Sequence, residues 1–340
     1  MNPNVVEVKK CLLCNEQGEL LYSSLKDSLF GAEGAYGIFS CRSCSLLWLN
    51  PRPTGDAIAK LYTNYYTHET VVNGTLVGDD VNFSHFPKSK KIKYAVLSSY
   101  FGYDIAMPSS YRMLGYILGA FPSIYKKVQM STGGFSSKKK GKLLDVGCGN
   151  GDYLLEMKYL GHDVQGIEID QHSANIARNG GLSVITGPFV EGLYQNESFD
   201  AIYLNNVIEH VENPKETISL CYKLLKKGGE LCIKTCSSES MAHSFFKKDY
   251  RGLEIPRHFF IFSPRALRSL GIKEGFSIKK RYTTFNGYIW AASRAIKRGD
   301  SNAAYATESR ADLLLQKILV SLVTFILPDK GDDIFVLFKK

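Results

Sequence analysis

Residues 143–152 read Leu-Leu-Asp-Val-Gly-Cys-Gly-Asn-Gly-Asp, an apolar strand that enters a glycine-rich turn and then a helix. Glycines let backbone N–H groups approach a ligand closely and tolerate positive φ. A dinucleotide-binding turn has the spacing G-x-G-x-x-G. Here Gly151 comes one position early and Asp152 stands in its place. The carboxylate of Asp145 would repel a pyrophosphate but could hold a cationic amino-acid group, so spacing and charge both argue against a nicotinamide dinucleotide.

The next strand pattern ends in Gly-Ile-Glu-Ile-Asp, residues 166–170. An acid at a strand end about 20 residues beyond such a turn is placed to accept hydrogen bonds from both hydroxyls of a ribose. Glu168 is the first choice for this role. Asp170 is better placed to cap the helix that follows.

Strand and helix patterns alternate outward from this turn. Strands are predicted at residues 142–146, 163–169, 182–186, 199–204 and 230–235, and helices at 153–160, 173–179 and 214–226. The pattern Asn213-Pro214 starts the last of these helices and Gly228-Gly229 is predicted to end it. Helical patches at 57–66 and 113–128 precede the turn, and a helix from Ser263, a strand at 276–284, an apolar helix at 313–327 and a strand at 332–338 follow. This alternation predicts an α/β fold with a parallel sheet covered on both faces.

Four stretches resemble class I S-adenosylmethionine-dependent methyltransferases of the type 11 and type 23 grouping. They are LLDVGCGNGDYL from residue 143, VQGIEID from 164, SFDAIYLNNVIEHVENP from 198 and LLKKGGELCIKT from 224. The resemblance implies a Rossmann-like seven-stranded sheet that binds S-adenosylmethionine. It implies that the methionine part is held by Asp145, Gly147, Cys148, Gly149, Asn150 and Gly151.

The same resemblance implies that Glu168 holds the ribose, that Ile169 lies on the adenine face and that Asn205 lies beside the sulfonium. Members of the grouping often have an acid and a small residue after the third strand, near the adenine amine. This chain has Gly187-Pro188-Phe189 there instead. Backbone groups or Phe189 are the candidates to replace that contact.

Two cysteine pairs, Cys11-x-x-Cys14 and Cys41-x-x-Cys44, stand near the N-terminus. They suit four thiolates around a tetrahedral zinc ion with no open position, so we expect a structural Zn²⁺ site. A redox or vestigial pair is the alternative. The other cysteines lie in predicted loop, helix and strand segments, which favours reduced thiols and a cytoplasmic protein over a secreted one.

Three regions are predicted along the chain: a zinc-ribbon-like module at 1–55, a helical connecting or lid segment at 56–140, and the methyltransferase domain at 141–340. Two outer stretches, YGIFSCRSCSLLWLNPRP from residue 36 and GLEIPRHFFIFSPRAL from 252, resemble methyltransferases associated with bacterial surface-polysaccharide and sugar modification. This likeness implies a small-molecule or glycan substrate, with a nucleotide-linked substrate as one candidate.

The acceptor is expected at the carboxyl ends of the strands, between residues 205–210 and 251–258, over the sulfonium. His258 and His210 are the candidate general bases, His258 being preferred, because imidazole titrates near neutral pH. Arg251 and Arg257 could clamp an anionic substrate. The alternatives are core hydrogen bonds for the histidines and surface ion pairs for the arginines.

The leading hypothesis is therefore O-methylation of a sugar or glycan acceptor in polysaccharide biosynthesis. The alternatives are a small-molecule or quinone-type O-methyltransferase, an RNA methyltransferase that reads RNA with its ribbon, and a non-catalytic binding module.

The net charge is +9, but residues 11–53 hold only Lys26, Arg42 and Arg52, which makes nucleic acid a poor partner. The densest lysine runs, 88–93 and 138–140, fall in predicted connections. No apolar run reaches the ~18 residues that span a bilayer, so the apolar helix at 313–327 could at most contact a membrane.

Overall fold

The computed structural model describes residues 5–62, 83–135, 137, 140–300, 302–307, 316, 323 and 326–340. Most of the apolar helix expected at 313–327 and the end of the helix expected at 57–66 lie outside these residues. The chain forms two compact units. Unit 1 comprises residues 1–65, 206–218 and 234–336, and unit 2 comprises residues 66–205, 219–233 and 337–340.

The strands are β1 (Val5–Val6), β2 (Glu19–Leu25), β3 (Tyr36–Ser40), β4 (Leu47–Asn50), β5 (Arg52–Pro53), β6 (Lys142–Val146), β7 (Asp163–Glu168), β8 (Ser183–Thr186), β9 (Phe199–Asn205), β10 (Leu225–Cys236), β11 (Phe260–Ile261), β12 (Ser277–Thr284) and β13 (Asp333–Lys339). The α-helices are α1 (Asp56–Lys60), α2 (Lys88–Phe101), α3 (Ser109–Gly119), α4 (Pro122–Ser131), α5 (Asp152–Tyr159), α6 (Gln171–Asn179), α7 (Pro214–Leu224), α8 (Met241–Phe246), α9 (Pro264–Lys273) and α10 (Gly287–Arg298). Short 3₁₀ helices occupy Phe83–His85, Lys247–Asp249, Arg251–Leu253 and Ala303–Tyr305.

The central sheet has seven strands in the order β12-β13-β10-β9-β6-β7-β8. Strand β6 pairs in parallel with β7 and β9, and β7 pairs in parallel with β8. Gly228 and Gly229, near the start of β10, exchange backbone hydrogen bonds with Lys340 just after β13. Strand β13 therefore runs antiparallel to β10, and the sheet is mixed. The predicted α/β fold with a Rossmann-like seven-stranded sheet is confirmed.

The glycine pair Gly228-Gly229 does not end a helix, contrary to the prediction. Helix α7 ends at Leu224 and β10 begins at Leu225. The two glycines lie inside the strand because the end of β13 supplies partners for their backbone groups, at 3.1 Å for the Gly228 N–H and 3.0 Å for the Gly229 carbonyl. A long-range strand pair thus overrides the local helix-end pattern.

Two further predictions before the glycine turn are corrected. The lysine run 88–93 is not a connection but the first turns of α2, and Lys93 forms an ion pair with Glu156 at 2.6 Å. The single helix expected over 113–128 is two helices, α3 and α4. The break falls at Phe121, whose backbone is extended, because Pro122 at the start of α4 cannot donate the hydrogen bond that would continue α3.

Unit 1 contains a four-stranded antiparallel sheet in the order β11-β4-β3-β2. Strand β11 comes from residues 260–261, so the N-terminal strands are completed by a strand some two hundred residues later in the chain. Trp48 on β4 is buried and donates from Nε1 to the Val8 carbonyl at 2.8 Å. The compact units therefore do not follow chain boundaries at residues 55 and 140.

Of the residues that the structure describes, none forms a helix long and apolar enough to cross a membrane.

Candidate functional site

The glycine turn of unit 2 begins directly after β6. Gly147, Gly149 and Gly151 have φ values of 71°, 54° and 86°, which only glycine adopts readily. A Cβ on Gly149 would meet no atom within 4 Å, so its backbone faces open space. A Cβ on Gly151 would lie 2.4 Å from Leu182, so this glycine is required for packing. The turn therefore combines open space at Gly149 with close packing at Gly151.

Glu168, at the end of β7, is bonded to this turn. Its Oε2 accepts from the Gly149 N–H at 2.7 Å and its Oε1 accepts from the Asp170 N–H at 2.9 Å. Asp170 caps α6 by accepting from the Ser173 N–H at 2.7 Å, as expected. The carboxylate of Glu168 is half-buried and lies at the carboxyl edge of the parallel strands, where ligands bind in such folds.

Asp145 is buried near the end of β6, two residues before Gly147 of the glycine turn. Burial and then the negative charge of Glu168 raise the pKa of Asp145 well above its usual range. A bound cation would reverse this shift, because an opposite charge favours the ionised carboxylate. Asp145 therefore fits a partner that carries an ammonium group.

The remaining residues predicted for this site lie at the same edge of unit 2. Ile169 is 70% exposed, Asn205 is exposed at the end of β9, and Phe189 is half-buried. The Gly187 N–H donates to the Glu168 carbonyl at 2.9 Å, which brings the 187–189 turn to the end of β7.

Within the glycine turn, the side chain of Asn150 accepts from the Asp152 N–H. The Cys148 thiol is buried, and burial is the main cause of its raised pKa. The buried thiol is thus a packing group, and the open backbone and the acids fit the methionine and ribose parts of S-adenosylmethionine.

Unit 1 contains a second group of polar residues, which we call the histidine cluster. Its members are Glu209, His210, Arg251, Glu254, Arg257 and His258, and all but His210 are buried. The rings of His210 and His258 are perpendicular, with centroids 4.6 Å apart. The Glu209 carbonyl accepts from the N–H groups of Phe259 and Phe260, at 2.8 and 3.2 Å. The structure thus brings the two sequence-predicted histidines together.

Both ring nitrogens of His258 lie beside acceptors. Nδ1 is 2.8 Å from the Gly252 carbonyl, and Nε2 is 3.2 Å from Glu254 Oε2. Since a carbonyl and a carboxylate only accept, both nitrogens donate, and the ring is an imidazolium. Burial alone would lower the pKa of His258, but the negative charge of Glu254 raises it well above the ordinary value. His258 is therefore a buried cation.

Glu254 completes this ion pair. Burial alone would raise its pKa, but the positive charges of Arg251 and His258 hold it well below its usual range. Arg251 Nη1 donates to Glu254 Oε2, and Arg251 Nε donates to the Tyr288 hydroxyl at 3.2 Å. The predicted substrate-binding arginine at 251 is thus buried and engaged with protein groups.

Arg257 is likewise buried. Its Nη1 donates to Asp27 Oδ2 at 2.8 Å and its Nε donates to the Leu61 carbonyl at 2.9 Å. The side chain of Asp27 is fully buried and also accepts from the N–H groups of Leu29, Phe30 and Ala32. In this arrangement the Arg257 guanidinium joins segments of unit 1.

His210 differs from His258 in its charge. Burial and then the positive charge of His258 lower the pKa of His210 to about 3. Its Nδ1 is 3.2 Å from the Arg257 carbonyl and 3.0 Å from the Tyr62 hydroxyl. Because the carbonyl only accepts, Nδ1 carries the proton and Nε2 carries the lone pair. His210 is therefore a neutral imidazole with an accepting nitrogen.

Glu209 was not among the sequence-predicted site residues. Among the described residues, neither carboxylate oxygen has a hydrogen-bond partner, and the Thr235 hydroxyl lies near without reaching bonding geometry. Burial raises the pKa of Glu209, partly offset by the charge of His258. Its place directly before His210 was the available signal, but sequence alone does not show that a carboxylate is buried.

Ligand atoms of Glu209, His210 and His258 lie within 4.8 Å of one another, a spacing that a metal ion could bridge. A metal ligand needs a lone pair on the histidine nitrogen, however. Both nitrogens of His258 donate to protein acceptors, so the three groups fit a charged hydrogen-bonding cluster better than a metal site.

The four N-terminal cysteines meet in unit 1, with their sulfur atoms all within 4.8 Å of one another and Cys11 Sγ 3.6 Å from Cys44 Sγ. Sulfurs around a tetrahedral zinc at about 2.3 Å are about 3.8 Å apart. Hydrogen bonding to Cys44 lowers the pKa of Cys11 to about 5, which favours a thiolate at Cys11. The four thiols fit a zinc ion.

The two cysteine turns have the same backbone pattern. The N–H of Asn15 donates to the Cys11 carbonyl at 2.8 Å, and the N–H of Ser45 donates to the Cys41 carbonyl at 2.9 Å. Asn15 and Ser45 have φ values of 58° and 57°. This repetition is what a pair of knuckles around one ion requires.

Comparisons with known proteins agree with the methyltransferase resemblance of the sequence around the glycine turn. Residues 127–280 match the family described as "Methyltransferase domain". The chain is 29% identical over 192 residues to the mitochondrial ubiquinone biosynthesis O-methyltransferase of Rattus norvegicus, covering 50% of this chain and 54% of the relative. It is 37% identical over 101 residues to the ubiquinone biosynthesis O-methyltransferase of Xanthomonas oryzae pv. oryzae, covering 28% of this chain and 42% of the relative. The chain thus spans about half the length of the curated relatives it matches.

The chain is also similar to the solved structure of an S-adenosylmethionine-dependent methyltransferase from Archaeoglobus fulgidus, at 18% identity and a TM-score of 0.44 over 68% of this chain and 99% of that one. Another is from Mesorhizobium loti, at 15% identity and a TM-score of 0.41 over 58% and 90%. Residues 127–280, which include the glycine turn, are thus similar to methyltransferase domains, and the order of the strands around the turn is Rossmann-like.

Proposed function

We propose that this protein is an S-adenosylmethionine-dependent O-methyltransferase whose acceptor is a phenolic or quinol-type hydroxyl of a small molecule. S-adenosylmethionine supplies an electrophilic methyl group when bound. Asp145 and the backbone of residues 147–151 would hold its amino-acid part, and Glu168 its ribose hydroxyls. Ile169 and Phe189 would flank the adenine.

The proposal of a phenolic acceptor rests on the protonation states of His210 and His258. Nε2 of neutral His210 can accept a proton, but its pKa of about 3 makes it a weak base. A phenol has a pKa near 10, whereas an alcohol resembles water, with a pKa of about 15.7. A phenolic hydroxyl therefore suits this cluster better than a sugar hydroxyl.

The named relatives support the same choice, because they are called ubiquinone biosynthesis O-methyltransferases. Their names favour the quinone-type alternative over the sugar or glycan acceptor, which stays a hypothesis without support from these comparisons. Arg251 and Arg257 then act as positioning residues: Arg251 holds Glu254 against His258, and the backbone of Arg257 fixes the His210 tautomer. The Cys11, Cys14, Cys41 and Cys44 site would hold a structural zinc ion.

The test is methyl transfer from labelled S-adenosylmethionine by the purified full chain. A panel of catechols and hydroquinones is compared with sugar nucleotides, glycans and RNA. We expect product with the phenolic acceptors. Transfer to a sugar nucleotide, glycan or RNA in the absence of phenolic product would contradict the proposed acceptor class.

Two histidine variants separate the roles within the cluster. His210→Asn removes the accepting nitrogen and should lower turnover by ~10²–10⁴-fold while cofactor affinity stays unchanged. His85→Asn, at an exposed histidine, is the matched control. If His210→Asn remains active and His258→Gln, measured as folded protein, is inactive, the base is His258, as the sequence alone suggested.

A further inference from the structure

Helix α3 presents an apolar face that unit 2 does not cover. Met113, Tyr116 and Ile117 are 67%, 54% and 57% exposed, and Phe121, just beyond the helix, is 56% exposed. Spacings of three and four residues place the helical members on one face. Large apolar side chains that lie together on a surface mark an interaction site more often than scattered ones do. We call these four residues the α3 patch.

The opposite face of α3 fixes the orientation of the patch. A Cβ on Gly115 would lie 2.3 Å from the Ala95 carbonyl oxygen, and a Cβ on Gly119 would lie 2.4 Å from the Tyr100 ring. The two glycines therefore let α3 pack closely on α2. Rotation of α3 to bury the patch would remove this contact, so the patch is held outward by the fold.

The segment of sequence that carries the patch is rich in cations. Arg112 and Lys127 are exposed on α3 and α4, and neither helix contains an Asp or Glu. In the sequence from residue 83 to 144 the only acid is Asp104, against eleven cations: Lys88, Lys90, Lys91, Lys93, Arg112, Lys126, Lys127, Lys138, Lys139, Lys140 and Lys142. The helices that present and follow the apolar face, α3 and α4, thus expose cations and contain no acid.

We propose that the α3 patch docks on an anionic membrane surface. Helices that lie in a bilayer interface combine a large apolar face with Lys and Arg on the flanks. Each cation near an anionic leaflet contributes about 1 kcal/mol, or about fivefold in partitioning. A second copy of this chain fits less well, because an isologous contact would bring the acid-free helices α3 and α4 of two copies together, with the exposed Arg112 and Lys127 of each. The docking is independent of which acceptor the enzyme methylates.

Sedimentation of the full chain with vesicles tests the docking. At low salt, we expect the protein to bind phosphatidylcholine vesicles that contain about one third phosphatidylglycerol, and to bind pure phosphatidylcholine much more weakly. Raising the salt should release it, because screening removes the charge contribution. Failure to sediment with the anionic vesicles at low salt overturns the proposal.

Matched variants locate the surface. Ile117→Ser should weaken partitioning about tenfold by removing inserted apolar area. Ile272→Ser, at a residue 54% exposed on α9 of unit 1, should leave it unchanged. Lys127→Gln should weaken it about fivefold, whereas Lys248→Gln, at an exposed lysine of unit 1, should not. Equal losses in patch and control variants overturn the proposal.

Sedimentation velocity without vesicles tests the alternative occupant of the α3 patch, a second copy of this chain. The wild-type protein and Ile117→Ser should show the same oligomeric state. A dimer that Ile117→Ser abolishes would assign the patch to a second copy and overturn membrane docking. Cofactor affinity, measured on the same variants, should stay at the wild-type value, so that failure of docking is not confused with failure of the proposed methyltransferase function.

Discussion

Glu168 holds the glycine turn and the start of the next helix with one carboxylate. Its two oxygens accept from the N–H groups of Gly149 and Asp170, so the acid organises the turn before any ligand binds. A carboxylate already fixed in this way loses little side-chain freedom on binding. The ribose role that the sequence predicts for Glu168 remains a prediction, and it can be tested directly.

Glu168→Ala should weaken the binding of S-adenosylmethionine or its demethylated product. Hydrogen bonds to a charged group contribute about 1.5–3 kcal/mol each, and the ribose would make two. Isothermal titration calorimetry measures the loss. Glu191→Ala, at an exposed carboxylate paired with Lys223, is the control. Unchanged affinity in Glu168→Ala would remove the ribose assignment.

The His258–Glu254 pair makes stability depend on pH. The pKa of His258 is raised above 6.5 in the folded protein, so its contribution is full below pH 6.5 and is lost as pH rises through the folded pKa. The pKa of Glu254 is lowered below 4.5, so its contribution is present above pH 4.5 and is lost as pH falls through the folded pKa. The pair therefore stabilises most between pH 4.5 and 6.5.

Urea unfolding at a series of pH values tests this dependence. We expect the wild-type free energy of unfolding to fall as pH rises above 6.5, and His258→Gln to show less of this fall. The variant should also be less stable by about 3–5 kcal/mol at pH 6, because Glu254 loses a buried partner. His85→Gln, at an exposed histidine, should keep the wild-type slope. A His258→Gln slope equal to that of wild type would mean that His258 is not the charged partner.

At the scale of elements, the second cysteine turn is tied to the segments that follow β10 and β11. The Ser263 hydroxyl donates to the Cys44 carbonyl at 2.6 Å and caps α9 by accepting from the Ala266 N–H. The Ser238 hydroxyl donates to the Ser45 carbonyl at 2.8 Å. A metal in the cysteine site would thus stabilise the strand β11, which begins two residues after His258.

We expect near-stoichiometric zinc in protein purified without added metal, and its loss in Cys41→Ser. Removal of one of four thiolates leaves the ion with an incomplete tetrahedral shell. Elemental analysis by mass spectrometry measures the metal. Cys221→Ser changes a buried cysteine of α7 outside the cluster and should retain it. Well-folded wild-type protein without metal would show that the cysteines form a reduced thiol cluster instead.

At the scale of the whole molecule, the compact units are assembled from separate stretches of chain. Unit 1 combines the N-terminal residues with 206–218 and 234–336. Two contacts bind these stretches: the pairing of β4 with β11, and the buried ion pair of Asp27 with Arg257. The N-terminal residues therefore share their sheet and their buried charges with the segment that carries the histidine cluster.

Features that depend on neighbouring residues could be predicted from the sequence alone. The glycine turn, the acid at the end of β7, the Asp170 cap and the two cysteine turns are local patterns, because backbone conformation and short-range hydrogen bonds set them. The alternation of strands and helices also predicted the sheet, since amphipathic periodicity reports which face is buried.

The charge states and the partners of the remaining groups depend on the folded chain. Arg257 pairs with Asp27, 230 residues away, and His258 is charged while His210 is neutral because burial and Glu254 act on them differently. Gly228 lies within a strand because the end of β13 supplies its hydrogen bond. Burial and long-range partners are properties of the folded chain, so no local pattern could reveal them.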